Sequence, residues 1–253
     1  MVMSQEVNNM NIVITMAGLG KRFRDAGYTC PKYEIVVHGH TLFYWSMSSL
    51  KTFIDAGANF IFVVRKEDNA KCFIEEQSCK ANIKSCRILE IDELTDGQAT
   101  SALLGGDLIT EPELPFIVYN IDTFVHPDSL PVSAVQGNGW IPCFPGKGEG
   151  WSFAQVDVDN RVIDLREKVR ISEHATIGLY WFSSFNLYRD IYFEYYKDSS
   201  NMEKGEKYIA PMYREMIQKG LDVYIHQVPF DAVSPLGTPT EVQCFMSAKK
   251  PQV

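Results

Sequence analysis

Short runs of apolar residues alternate along the chain with longer segments in which apolar residues recur every three or four positions. The first pattern is typical of buried strands and the second of helices packed on one face. Between residues 11 and 120 the two patterns alternate regularly, which predicts a parallel sheet covered by helices. The predicted strands span residues 11–16, 59–64, 86–91 and 115–120, and the predicted helices span residues 41–55, 68–81 and 98–108.

The pattern changes after about residue 138. Residues 145–150 form a glycine-rich, charged segment of the kind found in substrate loops. No internal repeat or interdomain linker is visible, so we predict one α/β domain over residues 1–253 with a β-rich part in its second half. We expect strands at residues 140–144, 153–158, 161–166, 176–182 and 222–228, and helices at residues 185–196, 208–219 and 238–246, the last with Thr238 and Glu241 at the spacing of a helix cap.

Composition narrows the possible functions. With 253 residues, of which 45% are hydrophobic, the chain can fill a substantial core, which excludes disorder and a small disulfide scaffold. The formal net charge of -8 disfavours nucleic acid as the main partner. The six cysteines lack zinc-like spacing, so we expect reduced thiols.

The sequence also predicts no membrane partner and a cytoplasmic location. No apolar run reaches the roughly 18 residues that a membrane-spanning helix needs. Residues 1–10 lack the charged start and apolar stretch of a secretory signal.

The most informative segment combines glycines and basic residues directly after the first predicted strand. Residues 16–23 read Met-Ala-Gly-Leu-Gly-Lys-Arg-Phe, and a Pro-Lys pair follows at residues 31 and 32. Small residues at this point let backbone N–H groups approach an anion such as a triphosphate, and the lysines and arginine add positive charge. A tight turn with solvated cations is the alternative. The segment matches neither the dinucleotide fingerprint nor the Walker motif, which disfavours nicotinamide enzymes and P-loop proteins.

These residues resemble the signature of the sugar-phosphate nucleotidyltransferase family, and the resemblance extends from about residue 11 to residue 246. It implies a Rossmann-like, mostly parallel sheet flanked by helices, with a nucleotide-binding half at residues 11–138 and a β-rich acceptor-binding half at residues 139–253. In that family the phosphate of an acceptor attacks the α-phosphorus of a nucleoside triphosphate with the help of Mg²⁺, and no protein nucleophile is required. The absence of a convincing Ser-His-Asp or Cys-His arrangement in the sequence agrees with this chemistry.

The resemblance implies which residues contact the triphosphate. Lys32 would stabilise charge at the reacting phosphates together with Arg22, which makes both candidate catalytic residues. Near residue 95 a second stretch resembles the family segment that lines the base and ribose, although an ordinary helix start would show the same residues. The implied nucleotide-binding residues are Ala17, Gly18, Leu19, Gly20, Lys21, Arg22, Thr95, Gly97 and Gln98.

Asp122 is the predicted metal ligand. It follows the strand predicted at residues 115–120, and open α/β sheets bind ligands at the carboxyl ends of their strands. Mg²⁺ prefers one or two carboxylates plus phosphate oxygens, so position and resemblance agree, with a capping aspartate as the alternative. Many family members carry a second metal-binding aspartate two residues before a later glycine, but this chain has Pro235 there, and Asp231 is a candidate substitute.

The resemblance also implies an acceptor site in the second half. Glu167 and Lys168 match a Glu-Lys pair whose lysine holds the acceptor phosphate, and Lys168 is therefore a candidate catalytic residue. The strand around residues 177–180 matches as well and adds Gly178 to the acceptor-binding set. A solvated surface lysine is the alternative for Lys168.

The resemblance is strongest to the cytidylyltransferases of capsular phosphoramidate synthesis, in bacterial capsule pathways. These enzymes join CTP to L-glutamine phosphate and release CDP-L-glutamine and pyrophosphate, so CTP and a phosphorylated small molecule are the expected partners. Two alternatives stay open: a sugar 1-phosphate nucleotidylyltransferase, and a non-catalytic nucleotide-binding regulatory module, which Pro235 motivates. A glycosyltransferase is less favoured, because a nucleotide-sugar donor does not require the basic glycine loop.

Overall fold

A computed structural model describes residues 9–253, in which the chain forms fourteen strands and eight α-helices. The strands are β1 (Asn11–Thr15), β2 (Val36–Val37), β3 (His40–Thr41), β4 (Asn59–Arg65), β5 (Ser85–Ile91), β6 (Phe116–Asn120), β7 (Thr123–Val125), β8 (Gly139–Phe144), β9 (Ser152–Val156), β10 (Val162–Glu167), β11 (His174–Thr176), β12 (Leu179–Phe182), β13 (Val223–Gln227) and β14 (Val233–Pro235). The helices are α1 (Lys21–Asp25), α2 (Leu42–Ser48), α3 (Lys51–Asp55), α4 (Lys71–Lys80), α5 (Gln98–Gly105), α6 (Phe185–Tyr195), α7 (Tyr213–Gln218) and α8 (Pro239–Ser247).

The first half contributes the parallel part of the main sheet. Strand β1 pairs in parallel with β4 and β6, and β4 pairs in parallel with β5. Apolar residues run without interruption along β1, β4 and β6 because helices or other layers cover both faces of these strands. The parallel sheet predicted for this half is confirmed.

The second half extends the same sheet. Strand β12 pairs antiparallel with β6 and β8, so the order across the sheet is β10-β9-β11-β8-β12-β6-β1-β4-β5, with β13 also pairing with β8. The strands expected at residues 153–158 and 161–166 are β9 and β10, which pair antiparallel as a hairpin. The mixed α/β fold, with parallel strands flanked by helices and a β-rich second half, is confirmed.

Several predicted elements are shorter or divided. The strand expected at residues 176–182 is two strands, because Gly178 between them has a φ of +82°. The helix expected at residues 41–55 divides into α2 and α3. The helix expected at residues 208–219 begins only at Tyr213, after a 3₁₀ turn that contains Pro211. The sequence pattern missed α1, β2, β3, β7 and β14, each of which is too short to show a period.

Helices cover the two faces of the sheet. Successive residues of a strand point to opposite faces, so Ile12 packs with α2, α3 and α4 on one face, and Val13 packs with α5, α6 and α7 on the other. A third apolar cluster joins Phe23 of α1 to Trp45 of α2 and Phe245 of α8. Burying one such aromatic side chain contributes roughly 1.5–3 kcal/mol, so this cluster anchors α1 and α8 beside each other.

Every helix within residues 9–253 is too short or too polar to span a bilayer. We expect no secretory signal in residues 1–10. Residues 1–8 of this segment lie outside the described part of the chain.

Candidate functional site

An open cleft of about 690 Å³ lies at the carboxyl ends of β1 and β6. It is lined by residues 15–23, 32, 94–98, 101, 120–122, 205, 206 and 237. All nine residues that the sequence predicts to bind the nucleotide are in this lining, as are Lys32 and Asp122. Segments that are far apart in the sequence therefore meet at one edge of the sheet, as ligand sites of open α/β sheets do.

The glycine loop leaves open space on the side that faces the cleft. A Cβ atom added to Gly18 or Gly20 would have no neighbour within 4 Å. Gly20 has a left-handed φ of +60° and turns the chain into α1, whose Phe23 is buried while Lys21 and Arg22 are exposed. A buried anchor and two exposed cations on one short helix suit a loop that binds an anion.

Lys32 and Asp122 form an ion pair in this cleft. The distance from Lys32 Nζ to Asp122 Oδ2 is 2.7 Å, and the two side chains are 20% and 29% exposed. Lys32 lies in a 3₁₀ turn directly after Pro31, and its neighbour Tyr33 is buried, which anchors the turn. The sequence predicted both residues near the reacting phosphates but did not predict that they contact each other.

The C-terminal segment reaches the same point. Pro235 lies opposite Thr123 in the β14–β7 pair, and the Leu236 N–H donates a hydrogen bond of 2.8 Å to the Asp122 carbonyl. A Cβ atom added to Gly237 would lie 3.2 Å from Asp122 Oδ2 and 3.6 Å from Glu241 Oε2. Two carboxylates therefore approach this glycine.

Asp231, the substitute suggested by the sequence, is exposed in a 3₁₀ turn and does not line the cleft. Glu241 was singled out only for the start of α8. That role is confirmed, since Thr238 Oγ1 accepts a hydrogen bond of 3.2 Å from the Glu241 N–H. Nothing in the sequence indicated that its carboxylate lies near Gly237, and Glu241 is outside the cleft lining.

Gln98 is held at the floor of the cleft by its side-chain amide. Gln98 Nε2 donates to Thr15 Oγ1 at 3.1 Å and also to Asn120 Oδ1. Gly178, predicted to bind the acceptor, lies behind Asn120 and outside the cleft lining. A Cβ atom added to it would lie only 2.2 Å from Asn120 Nδ2, so the glycine makes room for that side chain. The sequence reasoning missed Asn120, although its place at the polar end of a strand was visible.

A turn that contains Lys207 is bound tightly to residues 95–98, which the sequence predicts to bind the nucleotide. A Cβ atom added to Gly97 would lie 2.4 Å from the Lys207 carbonyl oxygen. The Lys207 N–H donates to the Asp96 carbonyl at 2.7 Å, and Lys207 Nζ lies 2.8 Å from Asp96 Oδ2. Burial raises the pKa of Asp96, but hydrogen bonds from Lys207 and Thr100 outweigh it and hold the pKa below its ordinary value.

Glu167 and Lys168 lie beyond the cleft lining but connect to its edge. Lys168 Nζ donates to Tyr208 Oη at 2.6 Å and lies 4.4 Å from the centre of that ring, and Tyr208 Oη donates to Glu206, which lines the cleft. Burial raises the pKa of Glu167, which accepts a hydrogen bond from Ser152. Lys168 has a left-handed φ of +52°, an uncommon conformation for a residue with a side chain. Tyr208 and Glu206 carried no signal in the sequence.

Solved structures share this fold. The nucleoside-diphosphate-sugar pyrophosphorylase from Vibrio cholerae RC9 is 36% identical, with a TM-score of 0.86 over 94% of this chain and 100% of that chain. This identity over nearly the full length shows that the chain belongs to the sugar-phosphate nucleotidyltransferase family.

Two more distant structures share the fold. The inositol-1-phosphate CTP transferase from T. maritima is 17% identical, with a TM-score of 0.72 over 91% of this chain and 90% of that chain. The CTP:phosphocholine cytidylyltransferase from Streptococcus pneumoniae is 17% identical, with a TM-score of 0.69 over 95% of this chain and 98% of that chain. A scan with protein-family models and a search of curated proteins gave no match.

Proposed function

We propose that the chain is a Mg²⁺-dependent nucleotidylyltransferase that transfers CMP from CTP to a phosphorylated small molecule. The observation that carries this proposal is the meeting of the glycine loop, Lys32 and Asp122 in one cleft. Membership of the family and the activity named for the Vibrio cholerae relative support the reaction type.

The reaction needs positioning and charge neutralisation more than it needs a protein nucleophile. A phosphate oxygen of the acceptor forms a new bond to the α-phosphorus of the triphosphate, and the bond from that phosphorus to the bridging oxygen breaks, which releases pyrophosphate. Negative charge grows on the bridging oxygen during this step. Lys32 and Arg22 line the cleft and supply the cations that neutralise it, and Lys168, which lies beyond the lining next to Tyr208, orients the acceptor phosphate.

The donor set of the cleft fits a magnesium ion. Asp122 offers a partly exposed carboxylate at the carboxyl end of β6, and Mg²⁺ typically binds one or two carboxylates together with substrate phosphates. Within residues 9–253 no group of three or more His, Cys, Asp or Glu side chains is arranged to hold a metal by itself, which suits an ion that binds with the triphosphate. When bound, the ion supplies positive charge to the phosphates.

The proposed acceptor is L-glutamine phosphate, and the proposed product is CDP-L-glutamine for capsular polysaccharide modification. Support comes from the resemblance of three segments to the capsular branch of the family. These segments are residues 16–23, 31–34 and 236–239.

A sugar 1-phosphate is the second candidate acceptor. The specific observation in its favour is that the relative with 36% identity is named as a nucleoside-diphosphate-sugar pyrophosphorylase. The nucleoside triphosphate would again be the donor, and the reaction at its α-phosphorus would be the same. The acceptor phosphate would then belong to a sugar instead of an amino acid.

The experiment that tests both candidates measures pyrophosphate release with Mg²⁺. CTP, UTP, GTP, ATP and dTTP are each combined with L-glutamine phosphate and with a panel of sugar 1-phosphates. Release with CTP and L-glutamine phosphate alone supports the first proposal, and release with a sugar phosphate supports the second. Triphosphate binding without release in any combination would contradict both and favour a non-catalytic regulatory module.

A further inference from the structure

Lys168, the lysine proposed to orient the acceptor phosphate, is held by a tyrosine. Lys168 Nζ donates a hydrogen bond of 2.6 Å to Tyr208 Oη, and the ammonium lies 4.4 Å from the centre of the tyrosine ring. We infer that Tyr208, with its hydroxyl oriented by Glu206, is the positioning residue that holds the Lys168 ammonium ready for the acceptor phosphate. This assignment deepens the proposed function and rests on it.

The side chain of Lys168 needs a partner to keep one position. It is 42% exposed, and a lysine carries its charge on a flexible four-carbon stem. The backbone of the residue is fixed, because the Lys168 N–H donates to the Trp151 carbonyl at 3.0 Å. Tyr208 fixes the other end of the stem. An ammonium that is held before the acceptor arrives loses less freedom when the phosphate binds.

Glu206 sets the direction of the hydrogen bonds at the Tyr208 hydroxyl. A tyrosine hydroxyl can donate or accept, whereas a carboxylate only accepts and an ammonium only donates. The Tyr208 O–H therefore donates to Glu206, and the oxygen accepts from Lys168. Burial raises the pKa of Tyr208, and the hydrogen bond and charge of Glu206 raise it further, so the hydroxyl keeps the proton that this arrangement requires.

A neutral partner leaves the charge of Lys168 available to a phosphate. The carboxylate oxygen Oε1 of Glu167 is 3.7 Å from Lys168 Nζ, which is beyond hydrogen-bond distance, and Oε2 of Glu167 accepts a hydrogen bond from Ser152. An ammonium has three N–H donors. One of them is used by Tyr208, so two remain for the oxygens of an acceptor phosphate.

Tyr208 is itself held in place and can act as a support. Its carbonyl accepts a hydrogen bond of 2.5 Å from Tyr196 Oη. The preceding residue, Lys207, donates its backbone N–H to the Asp96 carbonyl at 2.7 Å. The half-buried Tyr208 ring therefore does not follow the lysine into solvent.

Two other roles of Tyr208 are possible: direct contact with the acceptor, and a contact that serves folding alone. A residue that acts through Lys168 loses its effect on the acceptor when the lysine is removed. A residue that touches the acceptor keeps its effect, and a residue that serves folding alone changes the melting temperature without a selective loss in acceptor use.

The test is a double-mutant cycle on kcat/KM for the acceptor, measured by pyrophosphate release in wild type, Tyr208→Phe, Lys168→Ala and the double variant. The substrates are CTP and L-glutamine phosphate, or the triphosphate and sugar 1-phosphate that release pyrophosphate in their place. We expect Tyr208→Phe to lower kcat/KM about fivefold in the wild-type background, the effect of one lost hydrogen bond. In the Lys168→Ala background the loss should be less than about twofold.

Glu206 is tested through the same cycle. Glu206→Ala frees the Tyr208 hydroxyl to rotate, so it should lower kcat/KM for the acceptor, but it should add little to the loss in Tyr208→Phe. Glu206→Gln keeps an oxygen that can accept from the hydroxyl and should retain more kcat/KM than Glu206→Ala. Tyr224→Phe is the control and should match wild type, since that hydroxyl has no side-chain hydrogen bond within residues 9–253.

The outcomes separate this assignment from the proposed function. Equal losses from Tyr208→Phe with and without Lys168 would show that Tyr208 acts on the acceptor directly. No loss in either background would show that the contact does not support acceptor use. Each result would overturn the assignment and leave the nucleotidyl transfer standing. A wild-type chain that releases pyrophosphate with none of the substrate pairs would overturn both.

Discussion

The ammonium of Lys32 lies 2.7 Å from the carboxylate of Asp122, although the two residues are 90 positions apart in the sequence. The pair is mostly shielded from water, so it is screened less than a surface ion pair. It holds a cation and a carboxylate ready at the carboxyl edge of the sheet before any nucleotide binds. Lys32 is expected to neutralise phosphate charge, and Asp122 is expected to hold Mg²⁺. Binding of a metal and a triphosphate would therefore give each member of this ion pair a new partner of opposite charge.

Replacing Lys32 by alanine should lower the turnover number for pyrophosphate release by about 10²–10³, the loss typical of removing one group that stabilises transition-state charge. The fold should survive, because Lys32 lies in a turn that the buried Tyr33 anchors. Steady-state kinetics and thermal melting measure the two effects. Lys71→Ala, at an exposed position on α4, is the matched control. Turnover close to wild type in Lys32→Ala would contradict the assigned role.

Replacing Asp122 by asparagine should abolish Mg²⁺-dependent activity. The change keeps the size of the side chain but removes the negative charge, so it leaves Lys32 without its partner and the metal without its carboxylate. Activity is measured over a range of Mg²⁺ concentrations, with Asp231→Asn as the control. A fully active variant at low Mg²⁺ would show that Asp122 is not the metal ligand.

Tyr208→Phe should weaken acceptor binding while leaving CTP binding unchanged. The variant removes the hydrogen bond that Lys168 donates and the one that the Tyr208 hydroxyl donates to Glu206, but it keeps the ring beneath the Lys168 ammonium. A net hydrogen bond is worth about 1 kcal/mol, so we expect the acceptor KM to rise about fivefold. Tyr224→Phe on β13 is the control, since the structure gives that hydroxyl no side-chain hydrogen bond within residues 9–253. An equal rise in the KM for CTP would argue for a general distortion instead of a local loss at Lys168.

Gly97→Ala should destabilise the contact between the two halves of the cleft. The added Cβ would collide with the Lys207 backbone at 2.4 Å, and the φ of +141° is strained for alanine. Overpacking and backbone strain each cost about 1–3 kcal/mol, so we expect a loss of about 3 kcal/mol in the free energy of unfolding, measured with urea. Gly148→Ala separates the two causes, because Gly148 has a φ of +79° but open space around it. Equal losses in the two variants would contradict the predicted collision.

Stability should decrease in acid partly through His226. Burial lowers the pKa of this histidine, whose Nε2 lies 3.0 Å from the Ser129 carbonyl oxygen. The unfolded chain has the ordinary histidine pKa of about 6.5, so it takes up the proton first as the pH falls. As the pH falls below about 6.5, His226 therefore lowers the free energy of unfolding, until the pH has passed the lower pKa of the folded state. Well above pH 6.5 His226 is neutral in both states and has no such effect. Urea unfolding at several pH values should show a smaller decrease in His226→Gln, and an identical pH dependence in the variant would contradict the assignment.

The parallel half of the fold was predictable because burial on both faces leaves continuous apolar runs in β1, β4 and β6. The short elements were not predictable. Strands such as β7 and β14 contain three residues each, which is too few to show a repeating pattern of apolar residues. The residues of the site likewise include some that the sequence indicated and some that it did not. Small and basic residues after β1 and the carboxylate after β6 are local signals, whereas Glu206 and Tyr208 gain their place only through packing.

The amino-acid sequence alone determined the α/β class, the glycine loop, the position of Lys32 directly after Pro31 and the position of Asp122 after a strand, because each depends on residues that are neighbours along the chain. Only the tertiary structure decided that Lys32 pairs with Asp122, that the carboxylates of Asp122 and Glu241 both approach Gly237, and that Lys168 is connected to the cleft residue Glu206 through Tyr208. The reason is physical: a contact of a few ångströms between side chains on distant segments depends on how the sheet, α1 and α8 pack together, and no local pattern of residues encodes that distance.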